Sequence, residues 1–306
     1  LNENADVAGI PTEKYEPNKV DLPSGAGQRT GSYGPLQNDK TVNMARTPTI
    51  NTFYVGFNME KVPKAVRQAM AYVVNRESFV ESVFKSRGAG AYNLTPTQSF
   101  PGGASAYQEH WQGYDGGDTG GSGFDGLSGY PYSPNQNDVA AAKQVMREAG
   151  YGPDNRFELN WLQYESGTWK QMANTIRSRL EAAFIDMNIS SAAFGPLLSQ
   201  SEKGQHEALT LGWIADYPAP QNFLQLVDPP NTVYDAEGTQ PNGARLFWSE
   251  DAMADENVRQ FMVDQFDRIQ NNPGTSEEAK QTRADAAVKL EEGLWASATM
   301  IPIYHR

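Results

Sequence analysis

Hydrophobic positions in the first strongly patterned stretch of the chain change from a period of two to a helical period. Residues 52–57 alternate aromatic and β-branched side chains, which predicts a β-strand. Pro63 suits the first position of a helix. The apolar positions that then recur at helical spacing are Val66, Met70 and Val73. Asn75 is a suitable cap for a second helix, which we expect to end at Gly88.

The second half of the chain repeats this alternation between the two periods. Further helices are predicted over 137–149, 166–185, 255–271 and 276–297. Further strands are predicted over 156–163, 188–194, 207–214 and 300–304. Asn137 is the predicted cap of one helix, and Thr275 with Glu278 has capping-box spacing at the start of the last. Strands alternating with helices predict an α/β architecture with a mixed sheet.

Three regions lack such periodicity. Residues 1–50 are rich in Pro, Gly, Asn and Thr, and 216–250 carry several prolines. Region 89–136 is predicted to be long and irregular. Its middle, 113–129, is largely Gly, Asp and Ser, so we expect a surface loop there, because this composition cannot bury a core.

One motif in this loop resembles a calcium-binding repeat. Residues 120–128 fit one copy of the β-roll nonapeptide, but in that fold the turns of adjacent repeats share each ion. Asp115, Asp118 and Asp125 can offer oxygens to a hard cation. The alternative, which we favour, is a solvated loop with no metal.

Composition and charge exclude several classes of function. The 306 residues are 39% hydrophobic and 20% charged, which is ordinary for a folded protein. The net charge of −12 is opposite in sign to the basic surface of a nucleic-acid-binding protein, and an anionic membrane would repel it. Such acidity also fits a high-salt habitat as one alternative. The chain has no cysteine, so disulfides and cysteine metal sites are excluded.

The ends of the chain indicate a fragment. It begins at Leu1 without Met or a signal peptide and stops at Arg306 directly after an apolar run. We therefore expect a piece excised from a longer protein, in which missing targeting signals carry no information. No apolar stretch approaches the ~18 residues of a membrane span.

Motifs for catalysis are missing from the sequence. His110, His206 and His305 lack a second ligand at helical metal spacing, and we expect surface or strand positions for them. The chain has neither a Gly-x-Ser-x-Gly elbow nor a P-loop. We therefore predict that the protein is not an enzyme and holds no cofactor and no metal.

The most informative segment is 212–223. An apolar strand runs into Trp213-x-x-Asp216-Tyr217 and then into prolines that stop the strand and stiffen the loop. A carboxylate beside two aromatic rings at a strand end suits a ligand ammonium, because ion pairing and cation–π attraction act together. The alternative is that Asp216 caps a turn and Trp213 belongs to the core.

Five segments, in order, resemble the family 5 solute-binding proteins of ABC importers, the oligopeptide- and dipeptide-binding group. They are 4–11, 53–58, 66–77, 141–151 and 213–223. The first resembles the end of that family's first lobe, and the second resembles the strand that crosses into the second lobe. The third and fourth resemble signature helices, and the last resembles the ligand loop.

This resemblance implies a periplasmic-binding-protein-like (type II) second lobe, a mixed sheet flanked by helices. Residues 1–50 would then be the tail of the first lobe and the entry to the hinge, 51–298 the second lobe, and 299–306 a strand returning to the first lobe. In the family's peptide binders, the Asp that corresponds to Asp216 pairs with the peptide's α-ammonium. The other ligand-binding candidates are Trp213, Tyr217, Asn222, Trp161 and Tyr164. Arg67 and Arg76 in the helix pair are expected to be structural or solvated.

The implied function is a non-catalytic receptor that traps a peptide between two lobes and delivers it to permease subunits. We expect a monomer outside the cytoplasm, lipid-anchored in its full-length form. Strand residues 208–211 lack the Arg that some peptide binders carry, so oligosaccharide, nickel or haem ligands remain alternatives within the family. A sensory or scaffold module and a hydrolase are further alternatives from other classes.

Overall fold

A computed structural model describes the chain over 7–23, 29–47, 49–112, 129–134, 136–234, 243–252 and 256–306. The Gly- and Asp-rich segment 113–128, with Asp115, Asp118, Asp125 and the single nonapeptide, lies outside the described residues. In the described part, no helix combines the length and apolar character needed to cross a membrane.

Nine strands and nine α-helices are described. The strands are β1 Val20–Asp21, β2 Thr30–Tyr33, β3 Val42–Ala45, β4 Asn51–Phe57, β5 Ala89–Gly90, β6 Phe157–Tyr164, β7 Ile185–Ala192, β8 Ala208–Ile214 and β9 Met300–His305. The helices are α1 Lys64–Val73, α2 Arg76–Ser82, α3 Gly103–Gln112, α4 Val139–Glu148, α5 Gly167–Ala182, α6 Phe194–Glu202, α7 Pro220–Leu224, α8 Glu256–Gln270 and α9 Glu277–Ser297.

The centre of the fold is a six-stranded mixed sheet in the order β5-β9-β4-β8-β6-β7. β4 is antiparallel to both β8 and β9, whereas β6 is parallel to both β7 and β8. Strands β1, β2 and β3 form a separate antiparallel sheet. The alternating periods therefore predicted the class of fold correctly.

Both faces of the large sheet are covered, and alternate residues of β4 point to different cores. Val55 and Phe57 belong to a core with α1, α2, α4 and α5. Tyr54 belongs to a second core with α7, α8 and α9. Successive side chains of a strand point to opposite faces, so almost every residue of β4 is buried.

Helix starts follow the predicted chemistry, with shifts of one residue. The side chain of Asn75 caps α2 as predicted, since its Oδ1 accepts from the N–H of Ser78 at 2.8 Å. The cap of α4 is Asp138 and not Asn137, and the cap of α9 is Ser276 and not Thr275. In each corrected case an equally good capping residue stands next in sequence, and the register of the buried helix face selects it.

Several segments differ from the sequence prediction, among them α2, which ends at Ser82 and not at Gly88. Helix α3 lies within 89–136, which was predicted to be irregular, and it is anchored by the buried ring of Tyr107. β7 begins at Ile185, three residues before the predicted start, because Phe184 takes a positive φ of 66° and ends the turn after α5.

β9 lies between β5 and β4 in the large sheet, and Arg306 follows directly after it. The amide and hydroxyl of Thr49 both donate to the carbonyl of Arg306, at 3.0 and 2.7 Å. These contacts join the chain that enters β4 to the chain that leaves β9. The division into 1–50, 51–298 and 299–306 stays a prediction.

Candidate functional site

One edge of the large sheet gathers the strand ends at which a ligand can bind. The parallel strands β6, β7 and β8 all finish at this edge. β4 begins there and β9 ends there, because both pair antiparallel along the same rows. In α/β sheets, ligands bind in the crevice beyond the carboxyl ends of strands, and helices α6 and α7 leave from this edge.

The chain turns away from the sheet directly after β8. Ile214 opposes Asn51 as the last paired residue of the strand, and the N–H of Ala215 donates to the carbonyl of Ile50 at 2.9 Å. Asp216 and Tyr217 follow on the exposed rim, before Pro220 starts α7. The carboxylate of Asp216 has no ion-pair or hydrogen-bond partner within the described residues. A ligand cation can therefore approach it without displacing a protein partner.

Trp213 and Asn222 form a fixed pair behind this loop. The indole Nε1 of Trp213 donates to Oδ1 of Asn222 at 2.8 Å, and the ring is half-buried beside the core of α7, α8 and α9. Asn222 is itself buried. Its amide oxygen holds the indole, and the contact of Asn222 with a ligand stays a prediction.

Two aromatic residues of β6 were predicted to bind ligand; Tyr164 lies at the rim and Trp161 lies in the core. Tyr164 lies at the end of β6 with its ring against Phe194, the centroids 6.4 Å apart and the planes at 77°. Trp161 is fully buried, and its Nε1 donates to Gln163 at 3.0 Å. Trp161 therefore lies in the core of this structure, and its contact with a ligand stays a prediction.

The rim carries two exposed apolar residues that the sequence analysis did not select. The exposed fractions are 41% for Tyr164, 48% for Tyr217, 57% for Phe194 and 71% for Ile214. Phe194 lies in a segment predicted to be strand, and Ile214 in an apolar strand run. Periodicity predicted only that both residues belong to strands, whereas Ile214 ends β8 and Phe194 begins α6, and both are exposed.

Of the three histidines, His206 and His305 are buried, and His110 is half-buried. Burial lowers the pKa of His110, His206 and His305 to about 4 in each case, so they are neutral at pH 7. His305 is a strand residue as predicted, but His110 is on α3 and His206 precedes β8. Within the described residues, no group of three His, Asp or Glu side chains could hold a metal ion.

The buried carboxyl of Glu291 has a structural contact. Its two oxygens accept from the N–H groups of Leu94 and Thr95, both at 2.9 Å. Burial raises its pKa to about 7, although these two bonds oppose the shift. The side chain ties α9 to the loop after β5.

Comparison with known proteins fits this arrangement of sheet edge and loop. The family model described as bacterial extracellular solute-binding proteins, family 5 Middle, matches residues 21–235, which is more than half of the chain. The chain belongs to this family. The helix pair and the loop after β8 both lie within the residues that the family model matches.

Individual family 5 relatives bind different ligands. The chain is 25% identical over 196 residues to the dipeptide-binding protein of Escherichia coli strain K12, covering 62% of this chain and 32% of that protein. It is 27% identical over 197 residues to heme-binding protein A of Haemophilus influenzae, covering 62% and 31%. The chain thus spans about a third of the length of these relatives.

A solved structure supports the fold. Haemophilus influenzae OppA, crystallised in complex with the peptide RPPGFSPFR, matches with a TM-score of 0.60 at 19% identity. The match covers 85% of this chain and 43% of that one. The fold is accordingly that of a type II periplasmic binding protein, as the sequence resemblance implied.

Proposed function

We propose that this chain forms the second, ligand-binding lobe of an ABC-type peptide importer receptor. The observation that carries the proposal is the carboxylate of Asp216 beside Tyr217 on the rim, which has no partner among the described residues, in a family 5 chain. Relatives named as dipeptide- and di/tripeptide-binding proteins support a peptide-like ligand.

The chemistry of the loop favours an α-ammonium group. A carboxylate forms a charge-assisted hydrogen bond with an ammonium donor, and the exposed ring of Tyr217 offers a π face beside it. Asn222 fixes the indole of Trp213 so that the base of the loop does not move when the ligand arrives. Fixed side chains lose less entropy on binding, which raises affinity.

The receptor would work by closure of two lobes around the ligand. The crossing segments next to Thr49 and Arg306, joined by two hydrogen bonds, are the proposed hinge. The protein would act as a monomer outside the cytoplasm, without catalysis, and hand its ligand to permease subunits. Anchoring by an N-terminal lipid is part of the same proposal.

Calorimetric titration of the complete receptor with a pool of free peptides and the same pool after N-acetylation tests this function. We expect free peptides to bind and N-acetylated peptides to bind at least about tenfold more weakly. Asp216→Asn should reduce affinity for free peptides to the acetylated level. The matched control is Asp154→Asn, which removes an exposed carboxylate at the opposite edge of the sheet, before β6.

Two results would contradict the proposal in different ways. Equal affinity for both pools would remove Asp216 from ammonium recognition but leave peptide binding in place. Absence of binding to either pool would reject the peptide ligand itself. The unaltered response of Asp154→Asn excludes a general loss of negative charge as the cause of any effect.

Haem is the second candidate ligand. The heme-binding relative and the exposed rings of Tyr164, Phe194 and Tyr217 favour it, because flat aromatic surfaces pack well on a porphyrin. An absorbance titration with hemin separates the two candidates. A saturable shift that Tyr164→Ala weakens, with no response to peptides, would favour haem.

A further inference from the structure

Two asparagines of the chain stand in the sequence Asn-x-Ser/Thr, the acceptor motif for N-linked glycosylation. They are Asn93, followed two residues later by Thr95, and Asn188, followed two residues later by Ser190. A motif of three residues occurs by chance in many chains, so the motif alone does not identify a site. A glycan is bulky and hydrated, and it fits only where the acceptor amide lies outside the packed protein. The surroundings of the two asparagines therefore decide between them.

The first motif is enclosed in the fold. Asn93 is fully buried, and its carbonyl oxygen is 3.1 Å from Nε2 of His305. Thr95 is fully buried as well, and its N–H donates to the carboxyl of Glu291 at 2.9 Å. A single sugar ring on Asn93 would displace the residues packed around it. Asn93 is therefore excluded as an acceptor in the folded protein and serves as an internal comparison.

The second motif lies on β7, with its amide on the open face of the strand. Side chains alternate along β7, so that Ile185 and Met187 are buried in the core with α5, whereas Asn188 and Ser190 are exposed. Asn188 is in register with Asn160 of β6, which is exposed too. Within the described residues, the amide of Asn188 has no hydrogen-bond partner. Its Nδ2 is thus free, and the exposed neighbour leaves room for a sugar.

β7 is also the outermost strand of the large sheet. It pairs with β6 alone, and no other described strand pairs with its outer side. Its pairing runs over eight residues without a bulge. The strand has no proline, and its one charged residue, Asp186, is engaged by Arg156 at 2.8 Å.

An outermost strand of this kind is exposed to pairing with another chain, because its free backbone donors and acceptors form a template. Natural proteins usually protect such strands with unpaired charges, proline or a bulge. β7 has none of these features. A bulky hydrated group attached to the strand would give the same protection.

We propose that Asn188 carries an N-linked glycan and that this glycan covers the outer side of β7. The inference rests on the proposed location outside the cytoplasm, because the modification is made on exported chains. It does not depend on the identity of the ligand. The glycan supplies the hydrated bulk that the side chains of β7 do not.

The transfer balances with a lipid-linked glycosyl phosphate as the donor. Nδ2 of Asn188 attacks the anomeric carbon of the sugar, so that a C–N bond forms and the bond from that carbon to the phosphate oxygen breaks. The amide gives up one proton, and the lipid-linked phosphate leaves. In the folded strand, the hydroxyl of Ser190 donates to the carbonyl of Trp161 at 3.0 Å. We therefore expect transfer before β7 pairs with β6, while the motif is still accessible.

Mass spectrometry of the full-length protein, isolated from the cells that naturally export it, tests the site. After proteolysis, the peptide that contains Asn188 should carry the added mass of sugar units, and the peptide that contains Asn93 should not. Asn188→Gln and Ser190→Ala should each abolish the added mass, whereas Ser190→Thr should keep it, because either hydroxyl satisfies the motif. The matched control is Asn160→Gln, which changes the exposed asparagine opposite on β6, outside the motif, and should keep the added mass.

The possible failures are distinguishable. Unmodified Asn188 in protein recovered outside the cytoplasm would overturn the glycan and leave the proposed peptide function in place. Recovery of the protein from the cytoplasm alone would overturn the proposed location together with the glycan. A glycosylated receptor that binds neither peptide pool would reject the peptide ligand and support the site. Added mass that survives in Ser190→Ala would overturn the assignment to this motif.

Light scattering at equal protein concentration tests the covering role. Asn188→Gln, which lacks the glycan, should aggregate severalfold faster than the glycosylated protein. Asn188→Lys also lacks the glycan but places a charge on the strand, so it should return aggregation to the slow rate. Asn160→Gln should behave as the wild type, and an unchanged Tm shows that each variant is folded. Equal aggregation of Asn188→Gln and the glycosylated protein would overturn the covering role.

Discussion

Two arginines are buried in this fold and are held there by backbone carbonyls and aromatic rings. Nε and Nη2 of Arg67 donate to the carbonyl of Ser297 at 3.2 and 2.9 Å. Arg76 lies 4.7 and 4.6 Å from the ring centroids of Tyr92 and Tyr130. Both side chains are almost fully buried, which agrees with the structural role among the two roles predicted for them, structural or solvated. Burial lowers the pKa of Arg67 to about 10, so it remains charged at neutral pH.

The buried carboxyl of Asp228 is the group whose ionisation we expect to change the free energy of unfolding most clearly with pH. Its Oδ2 accepts from Nδ2 of Asn231 at 2.9 Å. Burial raises its pKa to about 7, the charge of Asp267 adds to the increase, and Arg259 opposes it. The folded protein therefore binds this proton more tightly than the unfolded chain, where an aspartate has a pKa of about 3.9.

Asp228→Asn should make the free energy of unfolding less dependent on pH. In the wild type, the contribution of the protonated carboxyl is complete below about pH 4 and is lost as pH rises through about 7. The amide cannot ionise, so the variant should gain stability relative to wild type over this window, on the order of 2–4 kcal/mol. Urea unfolding of both proteins from pH 4 to 8 measures the difference.

The exposed Asp154→Asn provides the control for this experiment, and its curve should run parallel to that of wild type. Parallel curves for Asp228→Asn as well would show that the buried carboxyl ionises as freely in the folded state as in the unfolded state. The argument from burial would then be incorrect.

The position of β8 depends on a glycine that packs against an aromatic ring. A Cβ on Gly212 would lie 2.6 Å from Cδ1 of Phe53 on β4. Phe53 cannot move aside easily, because its ring stacks on Tyr304 at 4.7 Å and contacts Trp169 at 5.6 Å. The close approach of β8 to β4 fixes the place where the strand ends and where the loop of Asp216 begins.

Gly212→Ala should therefore destabilise the protein by about 1–3 kcal/mol and weaken ligand binding, because overpacking displaces the end of β8. Gly195→Ala in α6 is the matched control, since its Cβ would meet no atom within 4 Å. It should be neutral or slightly stabilising. Thermal unfolding and peptide titration check both variants, and equal stability of the two would contradict the packing argument.

At the scale of the whole molecule, the net charge is negative, and both faces of the large sheet are buried beneath other elements. The net charge is −12, and exposed ion pairs between described residues, such as Arg156 with Asp186 at 2.8 Å, stabilise the fold only weakly. Self-repulsion among the remaining carboxylates opposes the compact state, and salt screens it over a Debye length of about 10 Å at 0.1 M.

We expect the Tm to rise when NaCl is increased from low concentration to about 0.5 M, because screening relieves this repulsion. A variant with Asp154→Asn, Glu158→Gln and Glu165→Gln, all exposed, should respond less. Differential scanning calorimetry measures both proteins. A Tm that falls with salt, or an identical response in the two proteins, would contradict the interpretation of the acidic surface and its high-salt alternative.

The sequence by itself determined the alternation of strands and helices, the family, and the segment that contains Asp216 and Tyr217. These depend on local signals: periodicity, proline and capping residues act within a few positions. Exact helix starts at Asp138 and Ser276 did not follow from those signals, because neighbouring caps are equivalent until the buried helix face selects one. Helix α3 was missed because its anchoring depends on contacts far away in sequence.

Only the tertiary structure decided which aromatic side chains reach the rim. Trp161 and Tyr164 belong to the same strand, yet one is core and the other is exposed, since successive residues face different layers and only the strand end is uncovered. The grouping of Arg46 and Arg87 around the ring of Tyr15 also required the fold, because the three residues are distant in sequence. Local sequence patterns determine whether a segment forms a strand or a helix. The site, in contrast, forms only where the fold brings the strand ends together.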